Sequence, residues 1–343
     1  MKTVRLGKTE LMVTEVGFGG IPIIPLKKDE AVSVVKHCFE LGIRFFDTAR
    51  MYRDSEEKIG AALKGMRNEV IIATKTSERN AKEASEHIDI SLQRLRTDWI
   101  DIYQLHNVSN DETLKQILAP GGAYEALYNA RTDGKIRFIG ISSHSISAAV
   151  KALDTGLFQT LQFPFNFIEH DPADELFPLA RQLDVGLIGM KPLGGGLLAR
   201  ADLCFGFLQQ HPYVVPIPGM CSKKEADEIV EYYHTPRTLS ETDFKEMDAI
   251  RTELGEKFCH RCEYCMPCEQ GVIIPPVLIF NGFAKRFSPK IATTWMEKAM
   301  KSVEKCIECG ECEEKCPYQL AITDLLKENL ALYNEYLRIK QVM

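Results

Sequence analysis

Eight short runs of apolar and β-branched residues, each followed by a stretch of helical period, fill roughly the first 220 residues. They read "EVGFGG", "IRFFDTA", "EVIIATK", "IDIYQLH", "IRFIGIS", "TLQFPFN", "VGLIGMK" and "VVPIPG". Such runs are apolar at consecutive positions, which suits parallel strands sheltered by helices rather than sheets with one wet face. The intervening segments carry helix punctuation. "DEAVSVVKHCFELG" opens on an Asp that can cap and closes at Gly42, and "PADELFPLARQLDVG" places Pro172 at a helix start and Gly186 at its end. Eight strand-then-helix units in this length predict an α/β fold, a closed (β/α)8 TIM barrel, with a doubly wound open sheet as the alternative. The leading "MKTVRLGKTELMVTEVGF" alternates around "GKTE" and is expected to form a small hairpin over the barrel floor.

A second unit is expected beyond the barrel, because 343 residues exceed what one core usually holds. After "PIPG" come the helical "KKEADEIVEYYH" and the amphipathic "TLSETDFKEMDAIRTELGEKF", so the boundary is set near residue 255: a barrel over 1–255 and a small, mainly helical domain over 256–343. The tail has apolar islands, "VIIPPVLIF" and "TTWMEKAMKSVEK", but little continuous hydrophobic pattern, and it is expected to need a metal staple.

Cysteines supply that staple. Of eleven, Cys38, Cys204 and Cys221 stand alone and read as buried apolar residues, while eight fall between Cys259 and Cys316. Cys306, Cys309, Cys312 and Cys316 have the spacing C-x2-C-x2-C-x3-C-P, the bacterial ferredoxin run for iron–sulfur clusters. Upstream, Cys259, Cys262, Cys265 and Cys268 form a related run whose last gap is two residues and whose proline position holds Glu269. Zinc usually takes two separated C-x2-C pairs, and a disulfide framework does not suit a chain without a secretion signal. In two-cluster ferredoxins the last cysteine of each run crosses over. The expected ligand sets are therefore Cys259, Cys262, Cys265 with Cys316, and Cys306, Cys309, Cys312 with Cys268. The irregular first run leaves open a single cluster, with Cys259 or Cys268 a non-ligand. The 37 residues between the runs include a helical segment, which suggests a helical two-cluster module.

In a (β/α)8 barrel, reactive groups gather where the strands end. Here those ends carry Asp47 followed by Tyr52, then Lys75, His106, Ser142 with Ser143, and Gln162 with Asn166. A phenol titrates near 10, but a neighbouring ammonium stabilises its phenolate, a carboxylate orients the ammonium, and an imidazole across the pocket can donate to a carbonyl oxygen. Tyr52, Lys75, Asp47 and His106 form such a proton-transfer set.

"FFDTARMYRDSEEKIGAAL", "IIATK", "DIYQLH", "IGISSHS" and "PIPG" resemble the aldo-keto reductases over residues 3 to about 235, and with the cysteine tail the whole chain resembles the subgroup that carries a C-terminal ferredoxin-type 4Fe-4S domain. The resemblance implies an NAD(P)H-dependent oxidoreductase that reduces a small-molecule carbonyl, with Tyr52 as proton donor, Lys75 and Asp47 tuning it, and His106 orienting the carbonyl. It further implies a cofactor site at Gly20, Ser142, Gln162, Met190, Lys191, Leu193, Gly194, Pro218, Gly219, Ser222 and Lys223. Two departures stand out. Met190 replaces the family's usual stacking tyrosine, and Ser142–Ser143 followed by His144 replaces the usual serine–asparagine pair. Lys223 and Lys224 lean toward NADPH, with NADH as the alternative.

A net charge of -6 without a Lys/Arg concentration argues against a nucleic-acid partner, and no apolar run is long enough for a membrane span, so the chain is expected to be cytoplasmic. Clusters move single electrons whereas a nicotinamide moves a hydride. A redox protein partner is one way to serve the tail, and five glutamates between Glu304 and Glu314 offer an acidic face. The alternative function is a redox-sensing or electron-transfer protein that binds nucleotide with little or no carbonyl turnover.

Overall fold

The computed structural model describes residues 1–255 and 257–342, with side chains throughout except at 286 and 340–342. Glu256, the first residue of the expected second domain, lies outside the described residues. The chain divides into two compact units, one of Met1–Pro192 with Arg200–Thr238, the other of Leu193–Ala199 with Leu239–Met343.

In the first unit, β1 (Thr3–Arg5) and β2 (Met12–Thr14) pair antiparallel around a 3-10 turn at Gly7–Thr9. Eight parallel strands follow: β3 (Phe18–Gly19), β4 (Phe45–Asp47), β5 (Ile71–Thr76), β6 (Ile100–Leu105), β7 (Ile136–Ser142), β8 (Thr160–Pro164), β9 (Gly186–Met190) and β10 (Val214–Pro216). Each pairs with its neighbour in sequence, as right-handed strand–helix–strand repeats require. The sheet curls until its ends meet. Gly17 N–H donates to the Pro216 carbonyl at 2.9 Å and Gly19 N–H to Pro218 at 2.8 Å, and Gly19 bridges Gly219. Only glycine fits at Gly19, where a Cβ would lie 2.7 Å from the Ile217 carbonyl oxygen.

The hairpin plugs the barrel. Leu6, Leu11 and Val13 join Phe45, Ala73, Ile102, Ile188, Val215 and Ile217 in one buried cluster. Gly7, at φ +52°, comes so near β9 that a Cβ would lie 2.3 Å from Gly186 N. Helices run between the strands, several with side-chain caps such as Asn80 Oδ1 on Glu83 N–H. Two expected caps fall elsewhere. Helix Lys28–Glu40 begins before Asp29, and Glu30 accepts the Lys27 N–H from inside its first turn. Pro172 sits in a separate 3-10 turn, Asp171–Ala173, with the helix Leu176–Gln182 after it and Gly186 already in β9.

The second unit is helical: Glu241–Gly255, Ile274–Leu278, Phe280–Arg286, Pro289–Ser302 and Ile322–Val342. It has more core than its sequence suggests. Val277, Phe280, Ala292, Met300, Ile322 and Leu326 are buried, and Tyr333 Oη donates to the Thr293 carbonyl at 3.2 Å. Each helix gives only a few apolar positions, so no single window displays the core that they build together. Leu197, from the short segment assigned to this unit, packs so tightly on Gly282 that a Cβ there would lie 2.9 Å from Leu197 Cγ.

Candidate active site and two cysteine-lined cavities

Strand ends place the polar residues. Lys75, on β5, is 1% exposed and Asp47, closing β4, is 2% exposed, so the two can keep charge only by pairing. Lys75 Nζ donates to Asp47 Oδ1 at 2.5 Å and to the Thr48 carbonyl at 2.7 Å. Burial pushes the lysine below its ordinary value, with Asp47 opposing, and burial raises Asp47 against Lys75. Tyr52 follows on the loop after β4. Its ring centroid lies 5.4 Å from Lys75 Nζ and 5.9 Å from the His106 ring, edge on. His106 follows β6, its N–H bonded to the Thr76 carbonyl. Burial, helped by Lys75, Arg79 and Lys191, holds His106 well below 6.5, so the imidazole is neutral near pH 7. Its Nδ1 is buried and has no hydrogen-bond partner among the described residues.

Sequence reasoning missed Gln104. It lies on β6 two residues before His106 and so shares its inward face, which strand alternation could have revealed. Gln104 Nε2 donates to Gln162 Oε1 at 2.8 Å and reaches Asp47 Oδ2 at 3.4 Å, which ties the carboxylate to β8. The loop after β4 is also fastened: Thr48 Oγ1 donates to Ser55 Oγ, and Ser55 Oγ to the Gly20 carbonyl, both at 2.9 Å.

Of the expected cofactor positions, Gly20, Ser142, Gln162, Met190, Lys191, Pro218, Gly219, Ser222 and Lys223 lie in the barrel unit, whereas Leu193 and Gly194 belong to the second unit. Ser142 Oγ accepts the Asn107 N–H at 2.9 Å, which leaves its hydroxyl hydrogen to donate elsewhere. His144 Nδ1 meets Asn107 Oδ1 at 2.9 Å and its Nε2 meets Lys191 Nζ, a chain across three strand ends. Asn166 is occupied structurally: its amide bonds Glu169 Oε2 and the Lys191 carbonyl, and its oxygen accepts two backbone N–H groups. Ser222 caps helix Lys223–His234 by accepting the Glu225 N–H at 3.2 Å, with Lys223 and Lys224 exposed beside that terminus. The isolated Cys38 and Cys204 are fully buried, with thiols pushed up to about 12. Cys221 is half-buried against Glu225.

The eight tail cysteines line two cavities, with Cys265 shared between them. One is lined by Cys259, Cys262, Cys265 and Cys316, and the other by Cys268, Cys306, Cys309 and Cys312, with Cys265 again among its lining. Each run is thus complemented by the last cysteine of the other. The two runs share a backbone pattern: Arg261 and Glu263 flank Cys262 at φ +62° and +65°, and Glu308 and Gly310 flank Cys309 at φ +55° and +79°. Left-handed residues interleaved in this way turn backbone N–H groups inward, a nest suited to an anionic cluster. Among the described residues no three Cys, His, Asp or Glu side chains converge on a single ion. Cysteines spread around a cavity suit a multi-iron cluster better than mononuclear zinc.

Comparison with known proteins decides the family. Residues 15–204 match the aldo/keto reductase family. The chain belongs to the aldo/keto reductases. Residues 258–321 match a 4Fe-4S dicluster domain, so this family member carries an iron–sulfur tail. It is 34% identical over 212 residues to the L-galactose dehydrogenase of Arabidopsis thaliana, covering 56% of this chain and 66% of that one. It is 28% identical to the uncharacterized oxidoreductase YqkF of Bacillus subtilis, covering 59% and 68%. Among solved structures, the holo form of the aldo-keto reductase AKR11C1 from Bacillus halodurans superposes with a TM-score of 0.63 at 25% identity, over 73% of this chain and 96% of that one. An aldo-keto reductase from Klebsiella pneumoniae in complex with NADPH shares the fold, with a TM-score of 0.62 at 23% identity, over 73% and 95%. The chain thus spans about two thirds of the curated relatives it matches. Among the described residues no helix is long and apolar enough to cross a membrane.

Proposed function

We propose that this aldo/keto reductase reduces a small-molecule aldehyde or ketone with NADPH, with Tyr52 as the proton donor. The observation that carries the reading is the buried Lys75–Asp47 pair at 2.5 Å with its ammonium 5.4 Å from the Tyr52 ring. When bound, the cofactor supplies a hydride to the carbonyl carbon. Ser142 and Gln162 would hold its carboxamide and the Met190 side chain its nicotinamide face. The capped helix terminus at Ser222, with Lys223, would meet its 2′-phosphate. His106, neutral and with an unpartnered ring nitrogen, orients the carbonyl oxygen by donating one hydrogen bond. As negative charge grows on that oxygen, Tyr52 Oη delivers its proton, and Lys75 stabilises the phenolate left behind. Asp47, fixed by Lys75 and Gln104, keeps the ammonium aimed. In the tail, Cys259, Cys262, Cys265 and Cys316 would bind one 4Fe-4S cluster, and Cys268, Cys306, Cys309 and Cys312 a second.

Tyr52→Phe tests the reading. With NADPH still bound, its turnover of a panel of aldehydes and ketones should fall by at least about 100-fold, the usual scale of a general acid. Undiminished reduction would refute the assignment. Equal dissociation constants for NADPH and NADH at low salt would remove the preference drawn from Lys223.

A further inference from the structure

We propose that the two clusters are unequal: the one bound by Cys268, Cys306, Cys309 and Cys312 is the solvent-facing centre, first reached by external reagents, and the one bound by Cys259, Cys262, Cys265 and Cys316 is sheltered. The inference rests on the two-cluster reading above and concerns only how this chain's residues surround each site.

The two cavities differ at their cysteines: none of Cys259, Cys262, Cys265 and Cys316 is exposed, whereas Cys309 is. Around Cys259, Cys262, Cys265 and Cys316, the buried Pro275, Leu278, Leu320 and Ile322 form the back wall. His260, inside the first run, and Tyr318, two residues after Cys316, also line it and form a parallel stack with ring centroids 3.6 Å apart and planes 4° apart. Phe258, 3% exposed, braces that stack edge on, 5.2 Å from the His260 ring. Two rings in face contact admit no solvent between them, so the stack covers part of this rim, beside which Tyr264 and Pro317 are exposed.

The second cavity also has a buried back wall, Val272, Ile274 and Leu326, but more of its lining side chains are exposed. Glu269, Gln270, Glu311 and Lys315 are exposed, and so is Cys309 itself, the one exposed cysteine of the chain's described residues. Ile307, between two of the cysteines, is 64% exposed and provides no lid. Chelators and small redox carriers approach a cluster through its most exposed ligand and its thinnest wall.

The test uses the full chain with both clusters assembled anaerobically, about eight irons per chain. It is challenged with a water-soluble Fe(II) chelator while released iron is followed by absorbance. Freed thiols are trapped with iodoacetamide at timed intervals and located by peptide mass spectrometry. The expected result is two phases, with about half the iron leaving first and the first label appearing on Cys306, Cys309, Cys312 and Cys268. Tyr318→Ala, which opens the stack, should speed the second phase and leave the first unchanged. Label appearing first on Cys259, Cys262, Cys265 and Cys316, or on all eight in one phase, overturns the inference alone. About four irons per fully assembled chain overturns the two-cluster reading, and the inference with it.

Discussion

At the scale of single residues, burial and pairing act against each other in the proposed site. Lys75 is buried away from bulk solvent, and Asp47 and the Thr48 carbonyl hold its ammonium in place. Lys75→Met should therefore lower kcat by about 100-fold or more while NADPH affinity, read by fluorescence titration, changes far less. An equal loss in both would mean that the lysine serves binding. His106 makes a pH prediction. Its folded pKa lies below the ordinary 6.5, so the unfolded chain binds the extra proton first and stability falls as pH drops below about 6.5. The slope is at most about 1.4 kcal/mol per pH unit for one group, and the depressed His87 and His211 act in the same window. Denaturant melts at pH 5.5 and 7 should show the loss, and His106→Asn should flatten it; an unchanged slope would mean that His106 titrates normally.

At the scale of elements, small residues decide whether the network under Asp47, Tyr52, Lys75 and His106 can form. Gly140, inside β7, faces Thr160 and Gln104: a Cβ would lie 2.2 Å from Thr160 Oγ1 and 2.9 Å from Gln104 Cγ. Gly140→Ala should cost about 1–3 kcal/mol by overpacking, with kcat falling because Gln104 no longer braces Asp47. A thermal melt with parallel kinetics checks both. In the tail, the equivalence of Glu263 and Gly310 gives a paired prediction. Gly310, at φ +79° with open space around it, should lose about 1 kcal/mol as alanine from backbone strain alone. Glu263, at φ +65°, should be relieved of the same backbone strain as glycine, so Glu263→Gly should cost less than Gly310→Ala. Midpoints of the iron-loaded protein measure the difference. The glycines show where sequence reading stopped: "IGIS" identified a strand, but only the register Gly140–Thr160 reveals which side chains need that space.

At the scale of the whole molecule, the strand order, the closing β3–β10 contact and the plugging hairpin were legible because each follows from a local repeat. Asp47, Lys75 and His106 were legible for the same reason, since each lies at a strand end. Gln104 and the His144–Lys191 contact were not, because they depend on distances across the barrel. The helical core of the tail was also hidden, and it changes what iron removal should do. Stripping the clusters should expose the loops over 257–271 and 303–321 to protease first, while the barrel and the packed helices, including Pro289–Ser302, are cut later. Uniform digestion of the tail would indicate that the clusters hold all of it. The central claim is that hydride chemistry belongs to the barrel, apart from the single electrons of the tail. NADPH carrying deuterium at both C4 positions, mixed with the carbonyl that turns over fastest, tests it directly. The account predicts an alcohol with one deuterium on the carbinol carbon, from iron-loaded and iron-free protein alike. NADPH oxidation with no deuterium in the alcohol would contradict it.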